Sequence, residues 1–257
     1  MIGVRADLPR YRIAVAELPL SASLASHAEG AIVVVAGSGR WVQAARAALA
    51  ADAAAVIVSN PGAFMDDDCA ELLRTAGDRP IIVDRPLLRA DVVASAVAQD
   101  ATAHYVTVEV AAAPGRRDAV MREAVGWMRV LAGGACEVRG VDWTSSARLG
   151  LVQRVDGVVV GALTVSTITG ADEGAWIRAV AVADSRVEVL VDEADARASV
   201  EIATADGVLR VPRRFEARER VALRRAIEAA GSSNAVADLA DLRADAAIAH
   251  RLADKQR

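Results

Sequence analysis

Short apolar runs separated by helical patterns set the grammar of the first hundred residues. "AIVVVAG" (Ala31 to Gly37) and "AAVIVSNP" (Ala54 to Pro61) are continuous β-branched runs, too short for typical helices, and each reads as a strand buried on both faces. Between them "GRWVQAARAALAAD" carries its apolar residues at helical spacing. The alternation continues with "MDDDCAELLRTAG" as a helix ending at Gly77, "RPIIVD" as a strand, and "LLRADVVASAVAQ" as a helix. Short connections between such elements imply right-handed βαβ units and a parallel sheet through about residue 100. Upstream, "RIAVAEL" is expected to be an opening strand.

Beyond residue 101 the period changes. "HYVTVEV" alternates strictly, Arg117 to Ala132 forms an amphipathic helix, and "RLGLVQRV", "WIRAVAV", "RVEVLV" and "SVEIAT" alternate apolar with polar. Turns fall at "VDGV", "ADEG" and "ADGV". That is the pattern of an antiparallel sheet with one covered face. "EARERVALRRAIEAAG", closed by a glycine, and "AVADLADLRADAAIAHRLAD" predict two final helices. The expected fold class is therefore α/β plus α+β. Residues 1–100 would form an incomplete Rossmann-like parallel sheet with helices, and residues 101–257 an open, mostly antiparallel sheet covered by helices. The two are expected to meet through a packed interface near residue 101.

Composition narrows the function classes. Hydrophobic residues make up 54% of the chain and aromatics only 3%, so a core of small aliphatic side chains is expected. The net charge is −4, with acids and arginines interspersed and no basic stripe interleaved with aromatics, which argues against nucleic-acid binding. No apolar run reaches bilayer length and no leader pattern opens the chain, so the expected location is the cytoplasm. The two cysteines, Cys69 and Cys136, lie in no CxxC or Cys/His cluster, and buried thiols are expected rather than a zinc site or a disulfide.

Individual motifs divide between structural and chemical readings. "VVVAGSGRWVQAA" places Gly37-Ser38-Gly39 between a strand and a helix, but Val42 stands where a dinucleotide fingerprint needs a small residue, and Asn60 rather than an acid ends the next strand. A plain tight turn is the better reading. Asp66, Asp67 and Asp68 open a helix and suit its positive end better than a metal ion, and no metal site is assigned. His27, His104 and His250 belong to no catalytic pattern. Trp127, Trp143 and Trp176 are expected as anchors of the interdomain core, and "RVPRRFEARERVALRR" as a solvated face with i,i+4 pairs.

The order of parts resembles the Gfo/Idh/MocA oxidoreductases, the glucose-fructose oxidoreductase and inositol dehydrogenase family, over about residues 40 to 252. In that family a strand ending in a "vDaVvvatP" pattern is followed, after one helix, by a strand ending in Glu-Lys-Pro; here "ADAAAVIVSNP" ends at Pro61 and "RPIIVDRP" at Pro86. The helix ending near "LAGG", the sheet containing "DGVVVGALTVS" and the closing helix pair resemble the family's second domain.

The resemblance implies NAD or NADP as cofactor, a sugar, polyol or related small molecule as substrate in an interdomain cleft, and cofactor contacts at Gly37, Gly39, Asn60, Pro61, Asp84 and Pro86. It also shows departures. The first strand and its GxGxxG turn are expected to be missing, which leaves no cofactor as the other reading. The family lysine is replaced by Arg85, which can bind an oxyanion but holds its proton at ordinary pH. The region of the catalytic histidine reads "RRDAVMREAVGWMRVLAGG", with Asp118 matching the first acid and Arg122 or Glu123 in the histidine's place. Arg85 and Asp118 are the candidate catalytic residues, with Arg85 expected to face the cleft. The alternative function is a non-catalytic ligand-binding or accessory subunit. It would pair with itself, as a dimer, or with an active homologue through its antiparallel sheet.

Overall fold

The computed structural model describes residues 1–98, 103–144, 146–168, 174–212, 216–232 and 235–254. The turn expected at "ADEG" lies mostly outside these residues, as does residue 101, where the division was expected. The chain divides instead between Pro86 and Leu87. One unit comprises Met1–Pro86 with Phe215–Arg243, and the other Leu87–Arg214 with Ala244–Arg257.

The first unit opens with β1 (Ile2–Arg5), α1 (Pro9–Ala16) and β2 (Ala22–Leu24). The expected strand "RIAVAEL" is thus mostly α1. Pro9 at its first turn presets a helical φ, and Tyr11, Ala14 and Val15 are buried at helical spacing. The opening strand expected to be missing is present as β1, four residues long. Next come β3 (Ile32–Ala36), α2 (Trp41–Ala50), β4 (Ala55–Ser59), α3 (Asp66–Ala76) and β5 (Ile81–Asp84). All pairings are parallel, in the order β2-β1-β3-β4-β5. The dinucleotide-binding form of the doubly wound sheet runs 3-2-1-4-5-6, and the other common form 2-1-3-4-5. Among the described residues no strand pairs beyond β2, and the parallel sheet is Rossmann-like with one strand fewer than the dinucleotide-binding form.

Alternate residues of these strands feed two cores. Val4, Ile32, Val34 and Ile57 pack with α1 and with α6 (Arg218–Ala230), whose Ala222, Leu223 and Ala226 complete that layer. This burial is why α6, expected in the second domain, belongs to the first unit. Val33, Val35, Val56 and Val58 pack with α2, α3 and the opening of α7 (Asp238–Ala253). β5 is an edge strand, and its Val83 N–H donates to Asp238 Oδ2 at 2.9 Å, which keeps that donor from recruiting another strand. The acids at the start of α3 lie in its first turn, but the N-cap is Met65; their role is at the helix dipole, and Asp66 also takes two bonds from Arg243.

In the second unit α4 (Ala90–Ala96) is followed by β6 (Tyr105–Ala112), a 3-10 turn (Pro114–Arg116) and α5 (Arg117–Ala132). The strands β7 (Cys136–Trp143), β8 (Ala147–Arg154), β9 (Val160–Thr167), β10 (Trp176–Val182), β11 (Arg186–Asp192), β12 (Arg197–Thr204) and β13 (Gly207–Arg210) complete an eight-stranded sheet. Its order is β13-β12-β11-β10-β6-β9-β8-β7, antiparallel except between β6 and β9. Val92 and Ala96 of α4 join this sheet's core, which is why the division precedes α4 instead of following it.

The helix α5 covers the centre of the sheet so closely that a Cβ at Gly161 would lie 2.5 Å from Met128 Sδ and 2.8 Å from Val106 O. Glycine is required there by that approach. Trp127 is fully buried and its indole N–H donates to Leu87 O at 2.7 Å, making it an anchor of this unit's core. Trp143 is not buried in the same way; it is half-exposed, beneath Arg148. Both cysteines are buried free thiols, each pushed up to about 11 by burial. The three histidines are exposed.

Candidate functional site at the carboxyl edge of the parallel sheet

In an open parallel sheet ligands bind outside the carboxyl ends of the strands, at the point where the strand order reverses. Here that switch lies between β1 and β3. The turns that follow β3, β4 and β5 are stitched together by their backbones. Gly37 N–H donates to Ser59 O at 2.8 Å, Gly62 N–H to Gly37 O at 2.7 Å, and Asn60 N–H to Asp84 O at 2.8 Å. A Cβ at Gly37 would stand 2.3 Å from Asn60 O, so only glycine admits the approach. Gly39 has φ +60 and Asn60 φ +53, both left-handed, which glycine and asparagine tolerate best. Gly37, Gly39, Asn60 and Pro61 are therefore brought together as the predicted tight turn and its neighbour.

Asp84 ends β5 and is buried. Its Oδ2 accepts from Tyr11 Oη at 2.7 Å, Arg218 Nη1 at 3.0 Å and Ser59 Oγ at 3.3 Å. Burial pushes its pKa up against the pull of Arg218, Tyr11 and Ser59. Burial, and then the neighbouring Asp84, push the Tyr11 hydroxyl well above its usual range as well. The carboxylate thus ties α1 and α6 to the sheet. Arg85 is buried too, at 5% exposure, so its side chain does not enter bulk solvent, and Pro86 is half-buried.

Asp118 belongs to the second unit, where it opens α5 with its side chain 86% exposed and 3.6 Å from Arg148 Nη1. Arg122 and Glu123, one of which stands at the histidine's place, are both buried on α5.

A cleft of about 500 Å³ lies beside the switch point, between the end of β1 and the flank of α2. Its wall on α2 is a stripe of small residues, Ala44, Ala47, Ala48 and Ala51, and Val33 and Val35 floor it. Arg5, Asp7, Ser38 and Arg40 supply polar groups. The cleft has a topological origin: β2 crosses to β3 through residues 25–31 without a helix, so this flank of α2 lacks a helical neighbour. Trp41 also lines it, 1% exposed, edge-on to Phe64 at 5.5 Å, with its indole N–H lacking a hydrogen-bond partner among the described residues. Sequence reasoning missed this cleft and Tyr11, although Pro9 and the spacing of Tyr11, Ala14 and Val15 signalled the helix that frames them.

The turn from β1 to α1 decides whether a dinucleotide pyrophosphate fits. It reads Ala6-Asp7-Leu8, with Leu8 at the N-cap and Pro9 at the first helical position. Proline has no N–H, and the N–H groups of Tyr11 and Arg12 both donate to Leu8 O, at 3.1 and 3.2 Å. A pyrophosphate needs open N–H donors and a glycine approach at this point. It would find no glycine there and no N–H at Pro9, and Asp7 adds a negative charge to the turn. The residues present do not fit the group there.

No family model matches the chain, and no curated protein does. Solved structures do match. UDP-N-acetylglucosamine 3-dehydrogenase GnnA from Acidithiobacillus ferrooxidans superposes with a TM-score of 0.70 at 14% identity, covering 97% of this chain and 95% of that one. The dehydrogenase MviM from Clostridium difficile gives 0.64 at 10% identity, covering 98% and 89%. KijD10, a 3-ketoreductase from Actinomadura kijaniata in complex with TDP-benzene and NADP in an open conformation, gives 0.59 at 14% identity, covering 97% and 87%. The chain has the Gfo/Idh/MocA oxidoreductase fold. The turn after β1, Ala6-Asp7-Leu8-Pro9, lacks the glycines of a dinucleotide-binding pattern. Among the described residues no helix is long and apolar enough to cross a membrane, and no group of three acids, histidines or cysteines could hold a metal ion.

Proposed function

We propose that the chain is a non-catalytic relative of the Gfo/Idh/MocA oxidoreductases that binds a sugar, polyol or related small molecule and carries no NAD(P) at its first turn. The observation that carries this reading is the β1–α1 turn, closed by Leu8 and Pro9 and bearing Asp7. The proton chemistry points the same way. If the family's strand pair is β4 and β5, Arg85 stands at the lysine's place. If it is β3 and β4, β3 being the strand beside β1, Asn60 does. An arginine keeps its proton and an amide has none to exchange, so neither register supplies a general acid or base. The cleft beside Trp41 is the seat for the small molecule, since pockets of about 300–1,000 Å³ with apolar walls and few polar groups suit such ligands.

Titration of the purified protein into NADH and NADPH, followed by nucleotide fluorescence, tests the reading. No change up to millimolar concentration is expected, and saturable binding in the micromolar range would overturn it. A second reading, pairing with a copy of itself or with an active homologue, rests on the exposed side of the eight-stranded sheet. There Leu149, Leu151 and Val160 are between 43% and 50% exposed on adjoining strands. Light scattering should then report a dimer that Leu151→Glu dissociates; a monodisperse wild-type monomer with no co-purifying homologue would remove this reading.

A further inference from the structure

The second unit holds two arginines with shielded donors that meet no acceptor among the described residues. Arg117 opens α5, and Arg148 lies on β8 in register with the buried positions Gly150 and Val152. Arg148 Cζ stands 4.3 Å from the centre of the Trp143 ring, which fixes the guanidinium plane. Arg117 Nη2 donates to Thr167 Oγ1 at 3.0 Å. Three other donors, Arg117 Nε and Arg148 Nε and Nη1, are shielded from solvent and meet no hydrogen-bond acceptor among the described residues.

The neighbouring acid does not resolve this. Asp118 Oδ1 is 3.6 Å from Arg148 Nη1, outside hydrogen-bonding range, on a side chain that solvent screens. Burial and the Arg117 charge both lower the proton affinity of Arg148, while Asp118 opposes them. Buried donors without acceptors are costly, and like charges within electrostatic reach add to that cost. An oxyanion bound by both guanidiniums would supply acceptors for the shielded donors and cancel the repulsion.

We propose that Arg117 and Arg148, with Trp143 bracing the latter, form a binding site for the phosphate or carboxylate group of a small molecule. It lies wholly within the second unit and stands independently of how the β1–α1 turn is read. Two-dimensional NMR of the arginine Nε–H groups tests it in the wild-type protein, with inorganic phosphate and acetate each titrated against chloride at matched ionic strength. Saturable shifts of the Arg117 and Arg148 resonances support the site, and whichever anion causes them identifies the group; no saturable shift with either anion overturns it.

Thermal melts supply the second measurement. The active anion should raise the melting temperature of wild type and of the control Arg12→Gln by the same amount. Arg117→Met and Arg148→Met should lose that rise. An undiminished rise in Arg148→Met would mean that the anion binds elsewhere, and would sink the proposal.

Discussion

The two units each hold a cluster of charge in the protein interior, and the clusters are built on opposite principles. Around Asp84 a single carboxylate oxygen is met by a phenol, a hydroxyl and a guanidinium drawn from α1, β4 and α6. Around Arg148 a second cation, Arg117, lies within electrostatic reach, the one acid beside Arg148 is exposed, and three donors meet no acceptor among the described residues. The first arrangement is complete without a ligand, so it serves the fold. The second needs acceptors that the described residues do not supply, which is what a binding site looks like before its ligand arrives. Burial of a charged group is therefore a poor guide to function; whether its partners are already present separates the two cases.

If the comparison is right, removing the centre of the complete cluster should cost most. Asp84→Ala leaves Tyr11 and Arg218 facing each other without an acceptor, and should lower unfolding free energy by about 3 kcal/mol. Urea denaturation followed by circular dichroism measures it, and a loss below about 1 kcal/mol, the range of an exposed pair, would place the cluster in solvent. Tyr11→Phe removes one bond to that carboxylate and keeps the ring's burial, for a smaller expected loss of about 1.5 kcal/mol by the same measurement.

A third test uses pH. The folded pKa of Asp84 is raised, with burial the largest cause, so its favourable contribution is fully present below the usual aspartate range. As pH rises past that range the unfolded chain ionises first, and stability is lost until the folded carboxyl ionises too. Between about pH 4 and pH 7 the wild type should therefore lose stability relative to Asp84→Asn, which cannot titrate. Parallel urea midpoints across that window would show instead that Arg218 and Tyr11 outweigh burial.

The sequence carried the long-period features well. Continuous β-branched runs gave β3, β4 and β5, alternation gave β6, β8, β10, β11 and β12, and the order of parts gave the fold. What escaped was short or made by distant partners. β1 has four residues and β2 three, too few for a period to register, so the first strand read as missing. "RIAVAEL" is apolar in alternate steps as well as at helical spacing, and Pro9 was the deciding sign. At the candidate site, the glycine turn was legible because glycine marks close backbone approach locally.

The Asp84 cluster was not legible, since Tyr11 and Arg218 lie 73 and 134 residues from Asp84. Nor was the cleft beside α2, which exists because a connection lacks a helix rather than because a motif is present. Arg148 offered no local sign at all: its meaning comes from Trp143 across a strand pair and from Arg117 on a helix.

The smallest expected effect is the one that bears hardest on the comparison. Arg148→Met in chloride deletes a guanidinium that loses donors to burial and repels Arg117, but also deletes a stacking contact on Trp143 worth about 0.5–1 kcal/mol. These contributions oppose one another, and the net change in unfolding free energy should fall within about 0.5 kcal/mol of zero. A buried arginine that serves the fold behaves otherwise: deleting it strands its acid and costs several kcal/mol, as expected at Asp84. Equilibrium unfolding of wild type and Arg148→Met in chloride buffer distinguishes them. A loss of about 2 kcal/mol or more would make Arg148 a second structural cluster and erase the contrast between the units, whereas near-neutrality means that the site's ionic capacity is held in reserve for a ligand.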